Sequence, residues 1–432
     1  MKFSSLAGHT SELFELVAHA GSSPVDRLVS SWFHSRKYLG SRDRRFIGDA
    51  VFGLIRHRRY LETLLAEYVR QHPGRSFASD QRSLLLLAGL MASVDGAPPV
   101  PADAGWKEYS TGTDIEAFAG WAASHRSLDF LAARDPVERL AVLFSFQDWM
   151  ARALQAAFAD ETEALLSALN VPAPTTLRVN TLKASREECA LRLNEEGIAT
   201  VPTRSSPHGL TVPKRFNARS SPAFLDGWFE IQDEGSQIVS ARARPEPGNF
   251  VIDSCAGAGG KTLHFAALME GRGEILAIDT DPRKLDELTG RAARAGIGGI
   301  RTVNLNRLRE AELRERADLV FVDAPCSGSG TIRRHPALKW SLSEEDIVRF
   351  AGRQREVLQF NAQFVRKGGR LAYCTCSLLR QENEEIVQAF LEAHPDFRPF
   401  PPREGSGEVN PAYLLPHRQG TDGFFLAILE RM

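Results

Sequence analysis

Cysteine is scarce in this chain: 432 residues carry five, at Cys189, Cys255, Cys326, Cys374 and Cys376. An odd, scattered set makes no disulfide framework, and no CxxC pair with companion ligands offers a zinc site, so reduced thiols and no bound metal are expected. Long apolar runs are missing too. The greasiest, "LLLLAGLMA" from Leu84 to Ala92, is far too short to cross a bilayer, and the opening "MKFSSLAGHT" has no apolar secretory core. A cytoplasmic protein with no membrane partner is the expectation, and a monomer. Repeats and low-complexity tracts are absent as well, which excludes solenoids and biased tails. Net charge is close to nil, at −1, but its distribution is uneven. Between Arg36 and Arg59 stand Arg36, Lys37, Arg42, Arg44, Arg45, Arg56, Arg58 and Arg59 against Asp43 and Asp49, eight positive and two negative, a local excess of six. Such a cluster is either the solvated face of a helical pair or a phosphate-binding patch.

What is present is the composition of a folded protein of two or three domains, 43% hydrophobic and 25% charged. Residues 1–145 read as helix: Val25, Leu28, Val29, Trp32 and Phe33 form one apolar stripe, and Phe46, Ile47, Ala50, Val51 and Leu54 another. "DGAPPVPADAG", Asp95 to Gly105, reads as a loop within this region. Residues 146–237 form a small α+β module, with strands at "TTLRVNT" and "WFEIQ" around a helix that Ser185 caps at its start and Gly197 at its end. Residues 238–432 alternate apolar strands ("FVIDSC", "EILAID", "DLVFVDAP", "GRLAYCTC") with amphipathic helices. That grammar predicts a doubly wound α/β domain whose ligands bind beyond the carboxyl ends of a parallel sheet.

Each chemically distinctive segment falls at one of those strand ends. In "DSCAGAGGKT", Asp253 to Thr262, glycines allow a sharp turn into a helix N-terminus. A Walker A loop would need glycine at 255, where cysteine stands, and a GxGxxG fingerprint would need it at 262, where threonine stands. A nucleoside fits better, with Asp279 closing the next strand to accept from ribose hydroxyls. "DLVFVDAPCSGSGTIRRHPALKW" delivers Asp323 and then Cys326 into a serine-glycine loop. It adds Arg333, Arg334 and His335, either plain surface or a grip on phosphates. In "LAYCTCSLLRQENEE", Cys374 and Cys376 point the same way by strand alternation. Cys374 is packing. Cys376, nearer a following helix, is the thiol whose ionised form a helix N-terminus and Lys261 would favour. Two thiols at adjacent strand ends beside a nucleoside pocket point to covalent catalysis on a pyrimidine. A thiolate adds at carbon 6 of cytosine so that carbon 5 attacks an electrophilic methyl group, and a second group then removes the carbon-5 proton. Asp323 would hydrogen-bond or protonate N3.

These residues, "CAGAGGK", "DAPCSGSG" and "TCS" in that order with "IRRHPALKW" between, resemble the RsmB/Sun family of RNA cytosine-5 methyltransferases, whose bacterial prototype modifies small-subunit ribosomal RNA. "GSRDRRFIGDAVFGLIRHRRYL" resembles that family's NusB-like RNA-binding domain. "LRVNT" and "IQDEGSQ" flank its small RRM-like module, and "DGFFLAIL" is similar to its closing strand. The resemblance implies a Rossmann-like methyltransferase domain using S-adenosylmethionine, with ribosomal RNA as partner. It implies Cys376 as nucleophile and Cys326 as the cysteine needed for product release. Cys255, Ala256, Gly257, Ala258, Gly259, Gly260, Lys261, Asp279 and Asp323 would contact or frame the cofactor. Ala258 stands where the family usually has proline. Near the adenine, where it often has aspartate, this chain offers Asn304 or Asn306, of which Asn306 is preferred. A transfer RNA methyltransferase and a non-catalytic assembly factor on the same fold are the alternative readings.

Overall fold

The computed structural model describes residues 1–19, 25–75, 77, 79–99, 106, 113–214, 216–402, 409–410 and 412–432. Residues 100–105 of the expected loop lie outside that set. Contacts divide the chain into two compact units, one of Met1–Asn170 with His335–Leu342, the other of Val171–Arg334 with Ser343–Met432.

The first unit is helical, with long helices at Phe3–Ala18, Ser41–Arg56, Arg58–Gln71 and Ser79–Ser93. The stripes read from the sequence supply its core: Val29, Trp32, Ile47, Ala50, Val51 and Leu54 are buried with Leu13, Leu61, Leu64, Leu85 and Phe118. The basic cluster divides. Arg44 donates to the carbonyls of Phe33, Leu39 and Arg36, Arg36 pairs with Glu12, Arg58 with Glu62 and Arg59 with Asp148, while Arg56 is buried. Lys37, Arg42 and Arg45 remain exposed, as does Tyr38.

Lys339 belongs to this unit and is buried completely. Its Nζ donates to Arg56 O at 2.9 Å, to Phe144 O at 3.1 Å and to Asn170 Oδ1, and it lies 4.0 Å from the Phe146 ring centroid. Three donors meet three acceptors, which is how a buried ammonium is compensated. Trp340 beside it donates to Ile55 O at 2.7 Å.

The second unit holds two sheets. β1 (Thr175–Val179), β2 (Val201–Pro202), β3 (Gly209–Val212) and β4 (Phe229–Ile231) form an antiparallel sheet in the order β2-β3-β1-β4. The helix Arg186–Glu195 packs on it, opened by a Ser185 and Glu188 capping box and closed by Gly197 at φ 76°. The larger sheet contains β5 (Phe250–Asp253), β6 (Glu274–Asp279), β7 (Ile300–Asn304), β8 (Ala317–Asp323), β9 (Val365–Thr375), β10 (Phe397–Pro399), β11 (Ala412–Leu414) and β12 (Phe424–Arg431). Its order is β10-β12-β9-β8-β5-β6-β7, with β11 beside β12. The run from β9 to β7 is parallel.

Alternation sorts the sheet's side chains onto two covered faces. Ile252, Leu276, Val320, Val322, Leu371 and Tyr373 pack with helices Glu344–Ala362 and Glu384–Ala393. Val251, Ile275, Leu319, Phe321, Ala372 and Cys374 pack with helices Glu234–Arg242 and Gly260–Leu268. The chain order reverses at β5, which places a topological switch point between β5 and β8.

Two expectations follow for stability. Lys339→Met removes a donor that three oxygens share; Phe144 O keeps its bond from Asn170 Nδ2 at 2.8 Å, and each of the other two left unmet costs about 1–3 kcal/mol, so urea denaturation should show a loss of roughly 2 kcal/mol or more. An unchanged midpoint and slope would contradict that role. At the end of β5, burial lifts the Asp253 carboxyl to about 7, against the opposing hydrogen bond from Thr262 Oγ1 at 2.6 Å. A raised acid keeps its proton in the folded state while the unfolded chain loses it, so this residue's contribution declines from about pH 4 to about pH 7 and is level above. In Asp253→Asn that decline should vanish from the stability-pH curve measured against the parent.

Candidate active site

Four loops meet at the carboxyl ends of β5, β6, β8 and β9. The first leaves β5 as Ser254–Gly259 and enters the helix Gly260–Leu268. Gly259 has φ 84°, and a Cβ there would lie 2.4 Å from Leu288 Cγ, so only glycine fits. Gly257, at φ 55°, has nothing within 4 Å of its Cβ direction and faces open space. Its N–H donates to Asp279 Oδ2 at 2.9 Å, while Asp279 Oδ1 accepts from Asp281 N at 2.8 Å. Each of these oxygens keeps a second lone pair for a ligand.

This loop is braced from below by residues that sequence reasoning did not single out. Arg291 donates to Ala258 O at 2.7 Å and pairs with Glu230 at 2.9 Å, and Arg178 donates to Gly260 O and to Gln232. Arginine in a strand or helix carries no local mark of such a role. Asn304 donates to Thr280 O at 2.9 Å and accepts from Asn306 N at 3.1 Å, building the turn after β7, and the Asn306 side chain is exposed.

The third loop leaves β8. Asp323 Oδ2 accepts from Lys261 Nζ at 2.6 Å, joining the β5 and β8 loops. Burial alone would weaken the Lys261 proton, but Asp323 outweighs it, so the ammonium is held above the ordinary lysine range. Cys326 follows Pro325, partly exposed. Behind it Gly330 N donates to Cys376 O at 2.8 Å and Gly423 N to Gly330 O at 2.8 Å. A side chain at Gly330 would strike Gly423 O at 2.2 Å.

The fourth loop carries Cys376, also partly exposed, whose Sγ lies 3.4 Å from Cys326 Sγ. Hydrogen bonding with Cys376, and then burial, push the Cys326 thiol well above its ordinary value. Cys374 is fully buried in the sheet core, as packing. The helix expected after Cys376, over "QENEEIVQAFLEAH" from Gln381, begins at Glu384 after a 3-10 turn at Arg380–Glu382, because "SLLRQEN" folds as a turn whose side chains bond back to the loops. The positive charge near this thiol is Lys261 rather than a helix terminus.

Arg333 and Arg334 do not face outward. Arg333 is buried and donates to Gly420 O and Thr421 O, while Arg334 pairs with Asp233 at 2.7 Å and Asp422 at 2.5 Å. These pairings hold the loop against the chain entering β12, so neither is a phosphate grip. Among the described residues no group of His, Cys, Asp and Glu is arranged for a metal, and no helix is long and apolar enough to cross a membrane.

Comparison with known proteins agrees with this geometry. Residues 241–430 match the family described as 16S rRNA methyltransferase RsmB/F, and residues 146–219 its ferredoxin-like domain. The ribosomal RNA small subunit methyltransferase B of Pseudomonas putida is 32% identical over 91% of this chain and 92% of its own length. That of Vibrio cholerae is 33% identical over 66% of this chain and 64% of its own. The crystal structure of PH0851 superposes with a TM-score of 0.76 at 27% identity, covering 99% of both chains. The paired thiols at adjacent strand ends, the glycine loop and the full-length similarity lead to one assignment: this chain belongs to the RsmB/F family of RNA methyltransferases.

Proposed function

We propose that the enzyme transfers a methyl group from S-adenosylmethionine to carbon 5 of a cytosine in ribosomal RNA, through a covalent adduct between Cys376 and the base. The observation that carries this reading is the 3.4 Å approach of Cys326 and Cys376 beside the Lys261–Asp323 pair. The residues fit the methyl donor: the open space at Gly257, the backbone turn from Cys255 to Gly260 and the spare lone pairs of Asp279 suit a nucleoside with a charged tail. When bound it supplies an electrophilic methyl group.

The chain's own residues do the rest. Cys376 adds as thiolate to carbon 6 of the flipped-out cytosine, with Lys261 offering positive charge nearby. As the electron pair moves toward N3, Asp323 hands N3 the proton that it receives from the Lys261 ammonium across their 2.6 Å hydrogen bond. That arrangement stabilises charge where it develops. After carbon 5 has gained its methyl group, its proton must leave before the carbon–sulfur bond can break and restore the ring. Cys326 takes that proton as its thiolate, having lost its own proton to solvent once Cys376 is bonded to carbon 6 and no longer shares a hydrogen bond with it. A thiol held above its ordinary range is, once ionised, the stronger base. The ribosomal target follows the names of the relatives. RNA contact is assigned to Lys37, Arg42 and Arg45, the exposed members of the basic cluster, with Tyr38 between them to stack on a base.

Methyl incorporation into ribosomal RNA should be lost in Cys376→Ala, by at least about a thousandfold. Cys326→Ala should instead accumulate a protein–RNA adduct that survives denaturing electrophoresis. Full turnover by Cys376→Ala would refute the covalent route. The triple change Lys37→Glu, Arg42→Glu, Arg45→Glu should weaken RNA binding at least about tenfold near 0.1 M salt and flatten the dependence of log K on log salt by roughly two to three units. Binding titrations with the parent's slope would place the RNA surface elsewhere.

A further inference from the structure

Each of the two facing cysteines is followed by a serine, and both serines reach the same buried carboxylate. Glu382 is completely buried. Its Oε2 accepts from Ser327 Oγ at 2.5 Å and from Ser377 Oγ at 2.6 Å. Its Oε1 accepts from Ser327 N at 2.8 Å and from Gln354 Nε2 at 2.9 Å. Gln354 Nε2 also donates to Pro325 O at 2.9 Å, so Cys326 is pinned through both of its chain neighbours. Tyr373 OH donates to the Glu382 carbonyl at 2.6 Å, which fixes the backbone carrying the carboxylate to β9. Four donors converge on one anion and none is the substrate's.

A buried charge survives only where its lone pairs are met, and here the groups that meet it come from both cysteine-bearing loops. The bridge runs Cys326–Ser327–Glu382–Ser377–Cys376. One residue out from it, on each side, stands a sulfur. Ser329 closes the frame, its hydroxyl 3.1 Å from Ser377 Oγ and accepting from Leu378 N at 2.9 Å. The loop after β8 is therefore tied to the loop after β9 by side chains as well as by the Gly330-to-Cys376 backbone bond at 2.8 Å.

We propose that Glu382 is a positioning residue for the reaction: acting through Ser327 and Ser377, it sets the separation and direction of the Cys326 and Cys376 sulfurs without touching substrate or cofactor. The proposal deepens the two-cysteine reading above and rests on it for its functional meaning. The negative charge of Glu382 adds to the hydrogen bond that Cys326 makes to Cys376, and to burial, in holding the proton on Cys326 in the resting pair. Replacing the carboxylate by an amide turns one acceptor into a donor that faces the hydroxyls and N–H groups already pointing inward, so the frame must loosen.

The test measures the thiol pair without RNA. Full-length protein is equilibrated with glutathione and its disulfide, where the Cys326 and Cys376 thiols together are oxidised to one disulfide and one glutathione disulfide is reduced to two glutathione thiols. The products are mapped by mass spectrometry. The equilibrium constant reports the effective concentration of one sulfur at the other. Glu382→Gln should lower it by about tenfold or more, and Ser327→Ala and Ser377→Ala should each lower it in the same direction. In turnover with RNA, the same variants should lose at least about tenfold in kcat with KM for RNA and cofactor affinity within about twofold. The serine variants remove a single hydroxyl and decide the question if Glu382→Gln does not fold. A constant within twofold of the parent in every folded variant overturns the proposal, as does a loss confined to KM. If the parent itself carries out no methyl transfer while the constant still responds to Glu382, the functional reading fails and the positioning of the thiols stands.

Discussion

The parallel pairing of β8 with β9 is the constraint on which the site depends. In this register Asp323, the last residue of β8, lies opposite Cys374. The two chains leave the sheet at the same level, with Cys326 and Cys376 a short step beyond. A shift of one residue in β9 would exchange that strand's two faces, sending Cys374 and Cys376 toward the opposite layer of helices. Pairing continues past the strands, through Ala324 N to Cys374 O at 2.9 Å and Gly330 N to Cys376 O at 2.8 Å. The approach of the sulfurs is thus inherited from sheet geometry and then refined by side chains. The glycine contact between 330 and 423 belongs to the same requirement, since the β8 loop must lie flush against the chain entering β12.

The second theme is how the unit spends its charges. Arg178, Arg291, Arg333 and Arg334 each carry several donors in a rigid fork, and each is turned inward to tie a loop to a neighbouring segment. Buried ion pairs of this kind contribute little net stability, because desolvation offsets most of the attraction. What they contribute here is a single arrangement for irregular backbone. The glycine turn after β5 has few apolar side chains of its own to pack. Its carbonyls at Ala258 and Gly260 are held by Arg291 and Arg178, and its N–H at Gly257 by Asp279. A loop built of small residues is kept rigid by long ones reaching in from elsewhere.

That division explains what could be read from the sequence. Strand ends, the glycine loop and the paired cysteines were legible because each is a local pattern: an apolar run, a polar stop, a reactive residue. The stripes through Ile47, Val51 and Leu54 were legible for the same reason. Long-range partners were not. Arg44, Arg59, Arg333 and Arg334 look identical in sequence to phosphate-binding arginines, and only the fold shows carbonyls and carboxylates within their reach. Lys339 is a charged residue in a motif and turns out to be fully buried. Glu382 lies in "RQENEE", which has the composition of a solvated first turn. The helix starts two residues later, and the carboxylate points inward to serines that are 5 and 55 positions away in the chain. No periodicity marks a side chain whose partners come from another strand.

The scarcity of cysteine gains a physical meaning once the environments are compared. The proposed covalent route requires that the other sulfurs stay unreactive toward an electrophilic methyl group. Cys189 and Cys374 are shut inside apolar clusters, and burial lifts both thiols away from ionisation. Cys255 is the harder case, because it lies in the loop assigned to the methyl donor and is not fully enclosed. There burial, outweighing a weak contact from Ser254, raises the thiol to about 12, so at neutral pH it stays protonated and a poor nucleophile. Cys326 and Cys376, partly exposed and 3.4 Å apart, are the two sulfurs that face each other.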